Sequence, residues 1–162
     1  MGLLSFQKHY YSSFAKSSLD FGKVISNILQ SKIDIKTVCD FGSGTCEFVS
    51  GFTEPEKRFI AVDNHNEKIS DKFLSKKNFF FKFDITKKIN LKEKFDCCIC
   101  LEVLEHIDNK NSDTVIDNLI RHSDFIIFSS AQIGQGGLNH INEQNLNYWI
   151  NKFHDKGFYC FD

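Results

Sequence analysis

The hydrophobic residues change their period several times along the chain, and each change marks a different kind of element. Phe21, Val24, Ile25, Ile28 and Leu29 recur at helical spacing and predict an N-terminal helix with one apolar, core-facing side. The pattern then becomes continuous. Lys36–Phe41 reads as a strand running into glycines, and Arg58–Asp63 as a second strand. Thr45–Phe52 predicts a short helix between them, and Glu67–Leu74 another after them. Asn78–Asp84, with four phenylalanines, predicts a third strand, and Phe95–Leu101 a fourth. Val115, Ile116, Leu119 and Ile120 share one side of a helix over Asn111–His122, with Ser112 or Asp113 as its N-cap. Asp124–Ser130 predicts a fifth strand. Leu146, Trp149, Ile150 and Phe153 follow the i, i+3, i+4, i+7 spacing of another helix, and Gly157–Phe161 predicts a sixth strand.

Strands alternating with helices imply βαβ units and a mostly parallel sheet of about six strands. Continuous apolar runs are what strands covered on both faces require. The expected architecture is an α/β, Rossmann-like three-layer sandwich in a single domain over 1–162. The longest stretch without a predicted element, Ala131–Asn142, holds three glycines and follows the fifth strand. Open α/β sheets bind their ligands at such strand ends.

Composition narrows the chemistry. The chain has 162 residues with a formal net charge of −1 and no block of one sign. A dedicated nucleic-acid binder would carry a basic stripe, so no DNA partner is expected. No stretch reaches transmembrane length, and no secretory leader is evident. Six cysteines are present, and Cys97 and Cys100 make a C-x-x-C. They fall inside an apolar strand, where a zinc knuckle would need a turn and a second ligand pair. Buried strand cysteines in a reducing cytoplasm are the expectation.

Gly42 and Gly44 follow the first strand and permit a tight turn and a close backbone approach to a ligand. A dinucleotide site would place a third glycine where Glu47 stands. Asp40 before the turn and Glu47 after it would repel a pyrophosphate and favour a cationic ligand. Asp63 ends the second strand, where a carboxylate can accept from ribose hydroxyls. Asp84, followed by Ile85, ends the third and can accept from an adenine amino group. Glu102 follows the fourth. Four successive strands therefore end at an acid.

Val38-Cys39-Asp40-Phe41-Gly42-Ser43-Gly44-Thr45 resembles the first motif of class I S-adenosylmethionine-dependent methyltransferases. Ile60-Ala61-Val62-Asp63 resembles their second motif, and Phe83-Asp84-Ile85 their third. Phe95-Asp96 and Leu101-Glu102-Val103-Leu104-Glu105-His106-Ile107 resemble the fourth-strand motif of the ubiquinone-biosynthesis O-methyltransferase subgroup. The resemblance spans about Lys36 to Phe161. It implies S-adenosylmethionine as cofactor, held by Asp40, Gly42, Ser43, Gly44, Asp63, Asn64, Asp84, Ile85 and Glu102. Gly134 to Gln144 with Tyr148-Trp149-Ile150 is similar to a subset of these enzymes in bacteria, phages and large DNA viruses. Some of that subset are associated with glycan or nucleotide-sugar modification. The family's sheet has a seventh strand after the sixth, and this chain stops at Asp162, so a monomer or an edge-paired homodimer is expected.

Methyl transfer to a hydroxyl benefits from a general base, and histidine is the side chain suited to neutral pH. His106 and His140 are the catalytic candidates. Asn142, Glu143 and Gln144 are the candidates for binding the acceptor, a small molecule or a sugar. Tyr10 and Tyr11 suggest an N-terminal lid. His9, His65, His122 and His154 read as surface residues. Glu105, His106 and His140 could together ligate a metal, and no metal is expected. An Asn/Asp-Pro-Pro-Tyr sequence, typical where a base amine is methylated, is missing after the fourth strand. The rival readings are an NAD(P)-binding oxidoreductase and a non-catalytic S-adenosylmethionine-binding module.

Overall fold

The computed structural model describes residues 17–29, 31, 33–52, 57–65, 69, 73 and 78–161. Tyr10, Tyr11, His9 and most of the helix expected over Glu67–Leu74 lie outside them. The chain divides into two compact units, Met1–Phe83 and Asp84–Asp162.

In the first unit a helix over 17–29 (α1) precedes strands β1 (Thr37–Phe41) and β2 (Arg58–Asp63), and β3 (Phe79–Lys82) follows. β1 pairs with β2, and β2 with β3, all in parallel, with Cys39 opposite Ile60 and Ile60 opposite Phe79. β1 and β2 supply Val38, Cys39, Phe41, Phe59, Ala61 and Val62 to the core. β3 is shorter than its apolar run predicted. It lies at the edge of this ladder, with Phe79 and Phe81 largely exposed.

The expected core face of α1 is corrected. Phe21, Val24 and Ile28 are more than half exposed, and Leu19, Gly22 and Ser26 are buried instead. The cause is a close backbone approach. A Cβ on Gly22 would meet the Phe48 carbonyl oxygen at 2.0 Å, and one on Gly51 would meet the Lys23 amide nitrogen at 2.5 Å. Only glycines let α1 lie this close to the 3-10 helix Val49–Phe52. That 3-10 turn replaces most of the helix expected over Thr45–Phe52.

In the second unit β4 (Cys97–Leu101) and β5 (Ile126–Ser129) pair in parallel, with Cys98 opposite Ile126. Cys97, Cys98 and Cys100 are buried free thiols, as a strand reading requires. Helix α2 (Ser112–His122) buries Val115, Ile116 and Leu119. Its N-cap position is Asn111, which makes no side-chain cap bond, so neither Ser112 nor Asp113 caps it. Helix α3 (Leu146–His154) buries Trp149, whose ring lies 5.6 Å from that of Phe128.

Three polar contacts join α2 and its lead-in to α3. Tyr148 Oη donates to Asn109, Lys152 reaches Asp113 at 2.9 Å, and Lys156 reaches Asp117 at 2.6 Å. Both partners advance by four residues from one contact to the next, so the helices run side by side in the same direction. His122, expected at the surface, is buried. Its Nδ1 donates to the Asn118 carbonyl, and its Nε2 accepts from the Leu91 amide. Burial holds its pKa below the ordinary value and keeps the ring neutral.

The sixth strand does not form. After α3, the Gly157 amide donates to the His154 carbonyl and the Phe158 amide to the Phe153 carbonyl. Gly157 has φ +85°, and the Phe153 and Phe158 rings lie 6.4 Å apart. This is the Schellman termination of a helix, with its apolar contact. The following residues find no ladder partner, and Tyr159 and Phe161 are 74% and 93% exposed. The expected six-stranded sheet therefore becomes five strands among the described residues.

Candidate functional site

The first unit contributes the loop after β1. Gly42 and Gly44 have φ of +80° and +52°, and the Gly42 amide donates to the Val62 carbonyl at 2.8 Å. Asp63 holds this bend from the end of β2. One carboxylate oxygen accepts from the Gly44 amide at 2.8 Å. The other accepts from the Asn64 amide at 2.6 Å and the His65 amide at 3.1 Å. His65 Nε2 in turn meets the Gly44 carbonyl, so His65 supports the loop and is no bystander. A carboxylate has about four acceptor sites, which leaves Asp63 capacity for a ligand hydroxyl.

Asp40 lies beneath this loop at 4% exposure. Burial, and then the charge of Asp63, push its pKa up to about 8. Ser43 is also buried, and its hydroxyl faces the Cys46 thiol at 3.7 Å. Burial raises that thiol to about 12, so Cys46 is inert as a nucleophile.

In the second unit Asp84 caps a turn. Thr86 donates to it through both its hydroxyl, at 2.6 Å, and its amide, at 3.0 Å. These bonds hold the Asp84 pKa below the usual range. Ile85 beside it is buried, and its carbonyl accepts from Asn118 at 2.9 Å. Glu102 follows β4 with φ +55°, a conformation that costs a non-glycine residue about 1–2 kcal/mol. Ser129 of β5 fixes it by donating to Glu102 Oε1 at 2.6 Å.

The 3-10 helix Leu104–His106 and the loop after β5 then meet. Both the Ile141 and Asn142 amides donate to the Glu105 carbonyl, at 2.8 and 3.0 Å. This brings the His106 and His140 rings to 4.9 Å, edge to face. Neither ring is free to turn. His106 Nδ1 contacts the Asn139 carbonyl at 3.3 Å, and His140 Nδ1 contacts Glu143 Oε1 at 3.0 Å. Glu143 also accepts from the Gly134 amide at 2.9 Å. These bonds lower the Glu143 pKa, the one to His140 most of all. Burial lowers that of His106.

The three residues expected to hold the acceptor act otherwise. Asn142 is buried, and its amide nitrogen donates to the Leu104 carbonyl and approaches Ser112 Oγ. Gln144 donates to Asn142 Oδ1 at 2.9 Å, and Glu143 serves His140. They clamp the loop that presents His140. For Asn142 spacing alone could not reveal this, because its bonds to Leu104 and Ser112 join positions 38 and 30 residues apart. Glu105 is fully buried, and its Oε2 accepts at 3.1 Å from Ser130, 25 residues away.

Residues 39–122 match the family model described as a methyltransferase domain. Similar solved structures include an O-methyltransferase family protein from Burkholderia thailandensis, at TM-score 0.73 and 13% identity. That match covers 93% of this chain and 54% of the other, so the chain spans about half the length of that relative. Magnesium protoporphyrin IX methyltransferase from Synechocystis PCC 6803, with bound S-adenosylhomocysteine, gives a TM-score of 0.66 at 19% identity, covering 89% of this chain and 74% of the other. The methyltransferase domain of the bacterial protein CtHen1-C gives 0.68 at 19% identity, covering 86% and 84%. No curated protein matches. The match covers just over half of the chain, and the strand-end acids and glycine turn fall in or beside it: the chain belongs to the methyltransferase-domain family, S-adenosylmethionine-dependent enzymes on a Rossmann-like fold.

Proposed function

We propose that this chain transfers the methyl group of S-adenosylmethionine to a hydroxyl, on a small molecule or a sugar. The observation that carries the acceptor reading is the His140–Glu143 pair. A carboxylate on Nδ1 fixes the tautomer, leaves a lone pair on Nε2 and stabilises the imidazolium that forms when a proton arrives. The acceptor oxygen attacks the methyl carbon in line with the carbon–sulfur bond. That bond breaks with its electron pair passing to sulfur, which yields S-adenosylhomocysteine. The hydroxyl proton passes to His140 Nε2, with His106 beside it.

Asp40, Gly42, Ser43, Gly44, Asp63, Asn64, Asp84, Ile85 and Glu102 are the residues proposed to serve the cofactor. Burial keeps Asp40 largely protonated at pH 7, and a sulfonium or ammonium brought beside it would favour its ionised form. The formal charge of −1 disfavours DNA as acceptor. No helix among the described residues is long and apolar enough to cross a membrane. Buried free thiols fit a reducing compartment.

Calorimetric titration with S-adenosylmethionine, S-adenosylhomocysteine and NAD tests the cofactor. Binding of the first two is expected, and binding of NAD alone would overturn the reading. Methyl transfer to a panel of sugars, nucleotide sugars and phenols, followed by mass spectrometry, tests the acceptor. Full turnover by both His140→Ala and His106→Ala would exclude a histidine base.

A further inference from the structure

We infer that Asn118 and His122 of α2 are positioning residues for the adenine of the cofactor, acting through the segment Asp84–Leu91. The inference rests on the proposed role of Asp84 and Ile85 toward adenine and names what sets them in place. Every second residue of this segment turns a backbone group to α2. The carbonyls of Ile85 and Lys87 accept from the Asn118 side-chain amide at 2.9 and 2.8 Å, and the Ile89 amide donates to Asn118 Oδ1 at 3.0 Å. The Leu91 amide donates to His122 Nε2 at 3.0 Å. Asn118 and His122 stand four residues apart, one above the other on the same face of the helix.

Three features set these residues apart from ordinary packing. First, the chain from Asp84 to Asp96 forms neither strand nor helix, so its backbone groups need partners elsewhere. Side chains of α2 supply them. Second, Asn118 is buried among Val115, Ile116 and Leu119. Burying an amide costs stability unless it is bonded, and leucine would pack there without that cost. Only a side chain with both a donor and an acceptor can address two carbonyls and an amide. Third, the two residues are joined. His122 Nδ1 donates to the Asn118 carbonyl, which leaves Nε2 its lone pair for Leu91, and burial keeps the ring neutral.

The clamp reaches the residues proposed for adenine. Thr86 donates to Asp84 through its hydroxyl and its amide, and both bonds end on Oδ1. Oδ2 keeps its capacity for the amino group of adenine. With the Ile85 and Lys87 carbonyls pinned on either side of Thr86, the turn that carries Asp84 has one place relative to α2. Hydrogen bonds weaken steeply with misalignment, so a fixed turn becomes selectivity. An amino group is accepted, and the carbonyl that replaces it in hypoxanthine sets oxygen against oxygen.

The test is calorimetry of the 162-residue chain with S-adenosylhomocysteine and with S-inosylhomocysteine, which carries that carbonyl. Wild type is expected to favour the adenosyl compound about 100-fold, and Asp84→Ala should remove the preference. Asn118→Asp keeps the shape but turns an oxygen toward two carbonyls. It should reduce the preference to about 10-fold or less, as should His122→Ala. A merely structural loss would lower both affinities together and leave their ratio unchanged. Backbone hydrogen exchange reads the clamp directly: the Ile89 and Leu91 amides should exchange faster in both variants, with circular dichroism reporting their folding. Wild type supplies a test that needs no variant. Saturating S-adenosylhomocysteine should slow exchange at Ile89 and Leu91, and saturating S-inosylhomocysteine should not. Equal effects of the two compounds, or a full preference in Asn118→Asp and His122→Ala, overturns the inference while Asp84 keeps its role. If Asp84→Ala retains the preference, or wild type shows none, the adenine reading falls and the inference with it. A wild-type chain that binds neither compound overturns both, together with the cofactor reading.

Discussion

Around Gly42–Gly44 side chains serve the backbone, and around Gly134–His140 the backbone serves a side chain. In the first loop Asp63 directs both oxygens at main-chain amides, so the surface offered to a ligand is peptide and glycine. In the second, main-chain bonds from Ile141, Asn142 and Gly134 exist to aim His140 and its partner Glu143. The first arrangement fits recognition of a ligand whose form does not vary. The second fits chemistry, where one nitrogen must be in one place.

Asp40 is the sharpest case on the cofactor side. Its pKa is 3.8 in an unfolded chain and about 8 in the fold. Below pH 4 both states hold the proton and folding loses nothing. As the pH rises from about 4 to about 8 the unfolded chain releases the proton while the folded one keeps it. Stability therefore falls through this window and levels above it. At pH 7 the loss is about 4 kcal/mol, at 1.36 kcal/mol for each unit. Asp40→Asn should flatten this slope in urea melts at pH 5 and pH 8, and should also weaken S-adenosylmethionine binding. An unchanged slope would show that Asp40 titrates normally.

Asp63→Ala removes one acceptor from three amides. The expected loss in S-adenosylmethionine affinity is about 100-fold, near 3 kcal/mol. Turnover at saturating cofactor should fall far less. Equal loss in both would mean that Asp63 does more than shape the binding loop.

The two loops also differ in how legible they were. The strand ends and the glycine turn follow from local pattern, and Asp40, Gly42, Gly44 and Asp63 stand together in the structure as their spacing implied. The second loop depends on contacts that no local pattern encodes. Asn142 looked like a substrate ligand because it is polar and near a histidine, but its partners are Leu104 and Ser112, far away in sequence. His122 reads as exposed because nothing near it in sequence marks a partner, but the Leu91 amide donates to its Nε2 from 31 residues away. The sixth strand failed for a different reason: its apolar run was real, but Gly157 ends α3 in a turn that leads to no open ladder.

Asn142→Ala tests the clamp. Losing two buried bonds should cost about 2 kcal/mol of stability, seen as a lower urea midpoint. Because the loop carries His140, turnover should fall with it, while cofactor affinity stays near wild type. A variant with normal turnover would show that the loop holds its shape through Ile141 and Gly134 alone.

Gly137→Ala is the smallest change in side chain, at a backbone φ of +154° that itself favours glycine. A Cβ on Gly137 would stand 2.4 Å from both Cε1 and Nε2 of His140. Real atoms do not approach so closely, so either the ring or the loop must move. The ring is tied to Glu143 at Nδ1, and it can yield only by swinging Nε2 out of place. The methyl group adds no charge and removes no hydrogen bond, which separates position from chemistry. Turnover is expected to fall about 10-fold, about 1.4 kcal/mol in the barrier, with S-adenosylmethionine affinity unmoved. If turnover does not change, the loop rather than the ring has moved, and the aim of His140 is looser than the bonds around it imply.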